Sequence, residues 1–341
     1  MIIMTPSARV PFRGLHMRRL HLCLVLVIAA GCYSMADSPS TKRSEDRSSS
    51  SASSKKEVAK VPFDSKRALG YLDELCKIGP RICGSDGMKK QQEYLKKHFE
   101  ALGAKVELQE FKAKQKSRRN AVEMANMIIT WHPDRKERVL IASHYDTRPL
   151  ADQEENQRNW AKPFLSANDG TAGVAFLMEL GNQMKDIKTP VGVDFVLFDG
   201  EEFVYEQIDE YFFGSKHFGE AYTKDKPKHN YRAGVVLDMI AGKDPSFPIE
   251  MNSWQVANSL VKEIWGIAGE LKCEAFAYKE GPVVEDDHLA LNRAHIPTVD
   301  IIDFSYKHWH RLTDVPENCS AEGMEQVAKV LTTWLVRAKE P

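Results

Sequence analysis

Val193-Asp194-Phe195-Val196-Leu197-Phe198-Asp199-Gly200-Glu201-Glu202 is the stretch on which the fold turns. Its first six residues are nearly all apolar and rich in β-branched and aromatic side chains, the pattern of a short strand buried on both faces. Asp199 and Gly200 then make a tight turn, and the turn presents two carboxylates, Glu201 and Glu202, just past the strand's carboxyl end. Outward from this stretch the same pattern recurs at residues 126–131, 139–143, 235–238 and 298–302. Helical periodicity lies between and after these runs. Leu95, Phe99 and Leu102 share one face, as do Ala257, Leu260, Val261, Ile264, Ala268 and Leu271, and as do Met324, Val327, Leu331 and Trp334. Continuous apolar strands separated by helices imply an α/β domain whose largely parallel sheet is covered on both faces. No internal repeat interrupts the pattern.

In open sheets of this class, ligands bind beyond the carboxyl ends of the strands. His144 and Asp146 follow the strand at 139–143, Glu201 and Glu202 follow the one at 193–198, and Asp238 closes the one at 235–238. Three strand ends therefore bring acids and a histidine to one edge.

The composition fits such a domain: of 341 residues, 43% are apolar, 9% aromatic and 28% charged. That excludes global disorder, collagen-like repeats and a polytopic membrane protein. Residues 1–57 hold 9 basic and 4 acidic side chains, which leaves 38 basic against 44 acidic for residues 58–341. A mildly acidic body lacks the basic footprint needed to bind phosphates, so nucleic acid is not an expected partner.

The amino terminus reads as a targeting segment. Arg9, Arg13, Arg18 and Arg19 precede an apolar run from Leu22 to Ala30, too short to cross a bilayer, since a spanning helix needs about 20 apolar residues. A cleaved signal over residues 1–31 is the expectation. Ala29-Ala30-Gly31-Cys32 resembles a bacterial lipoprotein signal, with Cys32 as the lipidated first mature residue, although Ala29 stands where such signals prefer a larger aliphatic. An ordinary secretory cleavage is the alternative. Residues 32–57 are serine-rich with few apolar side chains, so they read as a flexible linker. Residues 58–341 then form a single catalytic domain. The protein is expected to be exported, either as an extracytoplasmic or periplasmic lipoprotein, whose only membrane contact is that lipid, or as a secreted enzyme.

Four cysteines follow the linker, Cys76, Cys83, Cys273 and Cys319, in no zinc-ribbon or redox spacing. Cys76 and Cys83 are near enough in sequence to bridge in an oxidising compartment; two buried thiols are the other reading.

His, Asp and Glu gathered at strand ends are what a cation such as zinc needs, because imidazole and carboxylate both bind it at about 2.0–2.2 Å. The candidates are His144 in His-Tyr-Asp-Thr, Asp169 in Ala-Asn-Asp-Gly-Thr-Ala-Gly, the Glu201-Glu202 pair, Asp238 in Leu-Asp-Met-Ile-Ala-Gly, and His310 in Trp-His-Arg-Leu-Thr-Asp. Any one of these is weak; their order along the chain is specific.

With those residues in place, the chain resembles the zinc exopeptidase fold shared by co-catalytic zinc aminopeptidases and animal-type glutaminyl cyclases. The resemblance runs from about Leu75, through Gly79-Pro80-Arg81 and Gly84-Ser85, to the carboxyl-terminal helix. It implies a three-layer αβα architecture with a mostly parallel mixed sheet. In the aminopeptidases the matching ligands hold two zinc ions: Asp169 bridges, His144 and Asp238 serve one metal, and Glu202 and His310 the other. In the cyclases one zinc is held by the positions matching Asp169, Glu202 and His310. Glu285-Asp286-Asp287-His288-Leu289, Trp309 directly before His310, and Leu237-Asp238-Met239-Ile240 followed by Asp244-Pro245-Ser246-Phe247-Pro248 look like the cyclase pattern. The resemblance thus implies conversion of amino-terminal glutamine in peptides or proteins to pyroglutamate with release of ammonia. Glu201, Asp238 and Asp286 would be catalytic, and Trp309 would bind the substrate. A di-zinc aminopeptidase is the alternative reading, and a noncatalytic binding module the third.

The chain also departs from the cyclases. The stretch from Phe203 to Glu210 lacks the tryptophan that they carry after the Glu-Glu pair, with Tyr205 as its candidate replacement, and the loop from Phe304 to His308 lacks their Phe-Pro pattern. Asp146 is expected to orient the neighbourhood of His144, since ligating imidazoles usually donate their other N–H to a carboxylate. Asp287 is expected to cap the helix that follows it. His98, His132, His217, His229, His295 and His308 read as ordinary polar or surface residues, and residues 152–158 as a solvated loop, with a position over the site as the alternative because the stretch lies between His144 and Asp169.

Overall fold

The computed structural model describes Val58 and residues 62–225 and 229–338. The signal and linker expected over residues 1–57 lie outside them. Among the described residues no helix is long and apolar enough to cross a membrane.

Two helices open the described chain, α1 (Ser65–Lys77) and α2 (Asp86–Ala101). Each begins where a polar side chain accepts an orphan backbone N–H: Asp64 from Arg67, and Ser85 from Met88. The sheet then starts with β1 (Lys105–Ala113), β2 (Val122–Trp131) and β3 (Glu137–His144). Helix α3 (Thr171–Gly181) leads to β4 (Gly192–Phe198), and α4 (Phe213–Asp225) to β5 (Asn230–Asp238). After α5 (Met251–Val256), α6 (Asn258–Glu270) and α7 (Asp287–Arg293) come β6 (Thr298–Ile302) and α8 (Glu322–Arg337).

The six strands lie in the order β1-β2-β4-β3-β5-β6. β4, β3, β5 and β6 run parallel, while β1 and β2 add an antiparallel edge. β1 escapes the sequence pattern because it is an edge strand: only Ala113 is buried, and charged side chains alternate along it, which blunts the edge against pairing with another chain. The inner strand β4 is buried at every position.

Period-two alternation divides the sheet into two apolar layers. Ile129, Ile141, Phe195, Leu197, Val235 and Ile301 face a large core shared with α1, α2, α3, α6 and α8. Leu140, Ala142, Val196, Phe198 and Val236 face a smaller one, built with Phe218 of α4 and Leu291 of α7. The result is an αβα layering in which the four parallel carboxyl ends open on one edge. At the far end, Arg138 and Asp194 form a buried pair with Arg138 Nε 2.7 Å from Asp194 Oδ2, and the Tyr231 hydroxyl donates to the same oxygen. Cys76 and Cys83 are both buried free thiols and form no bridge.

Candidate metal centre

His144 is the last residue of β3, Asp238 the last of β5, and Glu201 and Glu202 sit just beyond β4. Asp169 arrives from the turn before α3, and His310 from the loop after β6. All six side chains are buried. His310 Nε2 lies 3.0 Å from Glu202 Oε2 and 3.4 Å from Asp169 Oδ2. On the other side of Asp169, His144 Nε2 lies 3.1 Å from Asp169 Oδ1 and 3.4 Å from Asp238 Oδ1. Asp169 therefore stands between two clusters, one with Glu202 and His310 and one with His144 and Asp238, each with ligand atoms within 4.8 Å of one another.

The backbone around these residues is held by further buried carboxylates. Asp146 accepts the N–H groups of Glu201 at 3.1 Å and Glu202 at 3.3 Å, which fixes the turn after β4. Asp314 accepts the N–H groups of Asn168 at 2.9 Å and Asp169 at 3.2 Å, and takes a third hydrogen bond from the Tyr306 hydroxyl. Gly170 is required where it stands: its φ is +75°, and an added Cβ would lie 2.6 Å from Cε1 of the His144 ring. The loop carrying Asp169 can thus lie flat against that imidazole.

Electrostatics prepare His310 as a neutral donor. Burial and the nearby Arg148 cation push its imidazole down to about 4. Asp152 Oδ1 lies 3.0 Å from Nδ1, so with its proton on that side the ring turns the Nε2 lone pair toward Asp169 and Glu202. Burial alone would raise the Asp152 carboxyl, but its bond to His310 and the charge of Arg148 hold it below the usual carboxylate range. Arg148 also donates its backbone N–H to Glu202 Oε1 at 2.9 Å. Burial raises Glu202 well above the ordinary range, with the neighbouring Asp169 adding to it, and burial raises Glu201 and Asp238 as well.

This crowding makes the chemistry of the donor set specific. Asp169 Oδ2 and Asp238 Oδ1 are buried oxygens that accept no hydrogen bond. Packed anions with unsatisfied oxygens, facing a neutral imidazole, are satisfied by a divalent cation, and two carboxylates with one imidazole suit zinc. His144 also groups with Glu201 and Glu202, whereas the remaining group, Cys83, Asp146 and Asp199, is of another kind. Burial pushes the Cys83 thiol well up, and Sγ donates to Asp146 at 3.5 Å, so it serves as a hydrogen-bond donor.

Beside the cluster, the Trp309 ring stacks on that of His310 with centroids 4.0 Å apart and packs against Phe304. Tyr205 lies with Val204, Trp160, Ile208 and Tyr211 along a cleft of about 640 Å³ whose wall also holds Arg148 and Asp152. Asp286 and Asp287 exchange the parts expected of them in one respect. Asp286 is the residue that caps α7, its Oδ1 accepting the Asp287 N–H at 2.5 Å, while its Oδ2 stays buried and accepts no hydrogen bond. Asp287 is the first helical residue, its carboxyl raised to about 8 by burial and the charge of Glu201.

Sequence reasoning gave Arg148 and Asp314 no role, and for Asp152 it offered only a possible place over the site. Asp152 belongs to the stretch read as a solvated loop or as chain lying over the site, and its half-buried carboxylate lies against His310. No local pattern marks it, because its partner is 158 residues away.

Comparison with known proteins places this geometry. The profile of peptidase family M28 matches residues 126–335. The glutaminyl-peptide cyclotransferase of Bos taurus is 23% identical over 243 residues, 62% of this chain and 65% of the bovine one. The chain thus spans somewhat under two thirds of that relative. A crystal structure of the Fimbriiglobus ruber glutaminyl cyclase superposes with a TM-score of 0.82 at 49% identity, over 84% of this chain and 99% of that one. A leucine aminopeptidase precursor from Bacteroides thetaiotaomicron gives a TM-score of 0.77 at 28% identity, over 83% of this chain and all of that one (100%).

Proposed function

The chain belongs to peptidase family M28 and, within it, to the glutaminyl cyclases, and from that premise we propose that it converts amino-terminal glutamine to pyroglutamate at a single zinc held by Asp169, Glu202 and His310. The observation that carries the proposal is the buried Asp169, Glu202 and His310 group, with His310 kept neutral and an Asp169 oxygen left without a partner.

Cyclisation joins the α-amine nitrogen of glutamine to its side-chain carboxamide carbon and breaks the bond from that carbon to the departing NH2 group, which leaves as ammonia. The nucleophile is already tethered, so the protein must polarise a carbonyl and move one proton. Zinc, when bound, supplies the Lewis acidity that polarises the carboxamide. Glu201 takes the proton from the attacking amine and returns it to the leaving nitrogen. Its raised affinity for protons, caused by burial, suits a group that must take a proton from the amine and hold it until the leaving nitrogen accepts it. Asp238 and Asp286 orient the leaving nitrogen by hydrogen bonding. Trp309, beside His310, forms the apolar wall against the glutamine methylenes.

A di-zinc aminopeptidase is the second reading, favoured by the group of His144, Asp169 and Asp238 beside the first. Incubating the purified chain with a Gln-initiated peptide and with a leucyl anilide, while counting zinc, separates the two. Ammonia and pyroglutamate at one zinc per chain are expected; free amino acid at two zincs would overturn the proposal. Export with lipid on Cys32 completes the reading, and the mass of the mature amino terminus tests it.

A further inference from the structure

The Gly79-Pro80-Arg81 stretch between α1 and α2 takes no part in the reaction as described, yet it carries a guanidinium buried to 1% exposure. Arg81 Nη1 donates to the carbonyl oxygens of Gly79 at 3.0 Å and Leu165 at 2.8 Å, Nε to Gln91 Oε1 at 3.2 Å, and Nη2 to Thr171 Oγ1. All of these acceptors are uncharged. A guanidinium keeps its charge when it leaves water, so a buried one whose hydrogen bonds go to neutral groups is costly, and its planar fork must serve some purpose there.

Two of the acceptors bracket Asp169: Leu165 stands four residues before it and Thr171 two after. The turn between them departs from ordinary backbone, with φ +54° at Ser166 and +75° at Gly170. Side chains disfavour the left-handed region, so such a turn persists only where its surroundings determine it. Its own helix does not supply that restraint, because Gly170 precedes α3 and makes no side-chain capping bond. The restraint comes from outside. Arg81 holds the Leu165 carbonyl and the Thr171 hydroxyl at once, and Thr171 Oγ1 in turn donates to the Ser166 carbonyl at 2.5 Å.

Arg81 is also tied to the neighbouring strand end. Its backbone N–H donates to Thr147 Oγ1 at 2.8 Å, and its carbonyl accepts the Thr147 N–H at 3.1 Å. Thr147 lies three residues beyond His144. A single residue thus bridges the segment that carries His144 and the turn that carries Asp169.

We propose that Arg81 is a positioning residue that clasps the turn from Leu165 to Thr171 against the end of β3 and so fixes Asp169 where zinc binds. The consequence for zinc rests on the proposed metal site; the hold on the turn rests on the hydrogen bonds alone.

The test uses the purified full chain. Arg81→Lys keeps a cation without the fork, and Arg81→Met removes both. One readout is zinc affinity, measured by competition with a chelator. The other is amide hydrogen exchange of Asn168 and Asp169 in the metal-free chain, with Phe195 of β4 as the internal control. Both variants are expected to bind zinc about 10–100-fold more weakly. Exchange in the turn should rise about tenfold or more relative to Phe195, as in a local opening. An action through charge alone predicts another pattern: Arg81→Lys would leave zinc affinity unchanged and Arg81→Met would raise it, because a nearby cation repels zinc. That pattern overturns the proposal. A general loss of stability would speed exchange at Phe195 as much as in the turn and leave the zinc affinity of the folded chain intact, which overturns it too. Should neither Arg81 variant fold, Thr171→Val removes one contact of the clasp and is judged on the same readouts, with changes of about fivefold expected for one lost hydrogen bond. If the unmodified chain takes up no zinc, the metal reading falls, and the exchange measurement still decides whether Arg81 holds the turn.

Discussion

The carboxylate of Asp152 lies 3.0 Å from Nδ1 of His310, on the side of the ring opposite the atom that faces Asp169 and Glu202. A second contact ties the same carboxylate to Arg148, whose Nη2 is 2.6 Å from Asp152 Oδ2. The position of the His310 ring, and the side on which it carries its proton, are thus set by two residues outside the candidate metal cluster. Asp152→Asn is expected to weaken zinc binding about 10–100-fold, with much of kcat recovered at saturating zinc. Competition with a chelator of known affinity measures this, and unchanged affinity would remove Asp152 from that role.

Glu201→Gln keeps the shape of the site and removes the proton carrier. Zinc content should be retained and kcat should fall by about 10²–10⁴-fold, the range of a lost general base. A zinc-loaded variant that turns over at the original rate excludes Glu201 from proton transfer.

Gly170→Ala tests the close approach of the Asp169 loop to His144. The added methyl meets the imidazole at 2.6 Å, and the φ of +75° strains any L side chain by about 1–2 kcal/mol. Because the loop must back away, zinc affinity should drop much more than the thermal midpoint does. Loss of stability with zinc affinity intact would show that the loop tolerates the displacement.

Arg138 and Asp194 are each 2% exposed, so solvent screens their pairing little. Asp194→Ala strands the guanidinium and removes the acceptor of the Tyr231 hydroxyl, with an expected loss of about 3–5 kcal/mol in unfolding free energy. The pair lies at the amino ends of the parallel strands, far along the sheet from the site, so kcat of the folded fraction should not change. Denaturant titration alongside active-site kinetics checks both halves.

Much of the molecule follows from local pattern. Four of the five strands legible in the sequence, including the run from Val193 to Phe198, are the parallel strands of the sheet, because a strand buried on both faces must be apolar without interruption. The acids and histidine that follow those strands gather at one edge for the same reason: parallel strands bring all their carboxyl ends together. β1 was not legible, since an exposed edge strand carries alternating charges that any surface segment could carry.

The amino-acid order by itself determined the parallel core and the candidate metal-binding residue types, which are properties of each strand and its own end. Only the tertiary structure decided which distant side chains hold them: Asp152 on His310 and Asp314 beneath Asp169. Hydrogen bonds and charge pairing act through space over a few ångströms, so residues far apart along the chain carry no mark of their partners until folding brings them together.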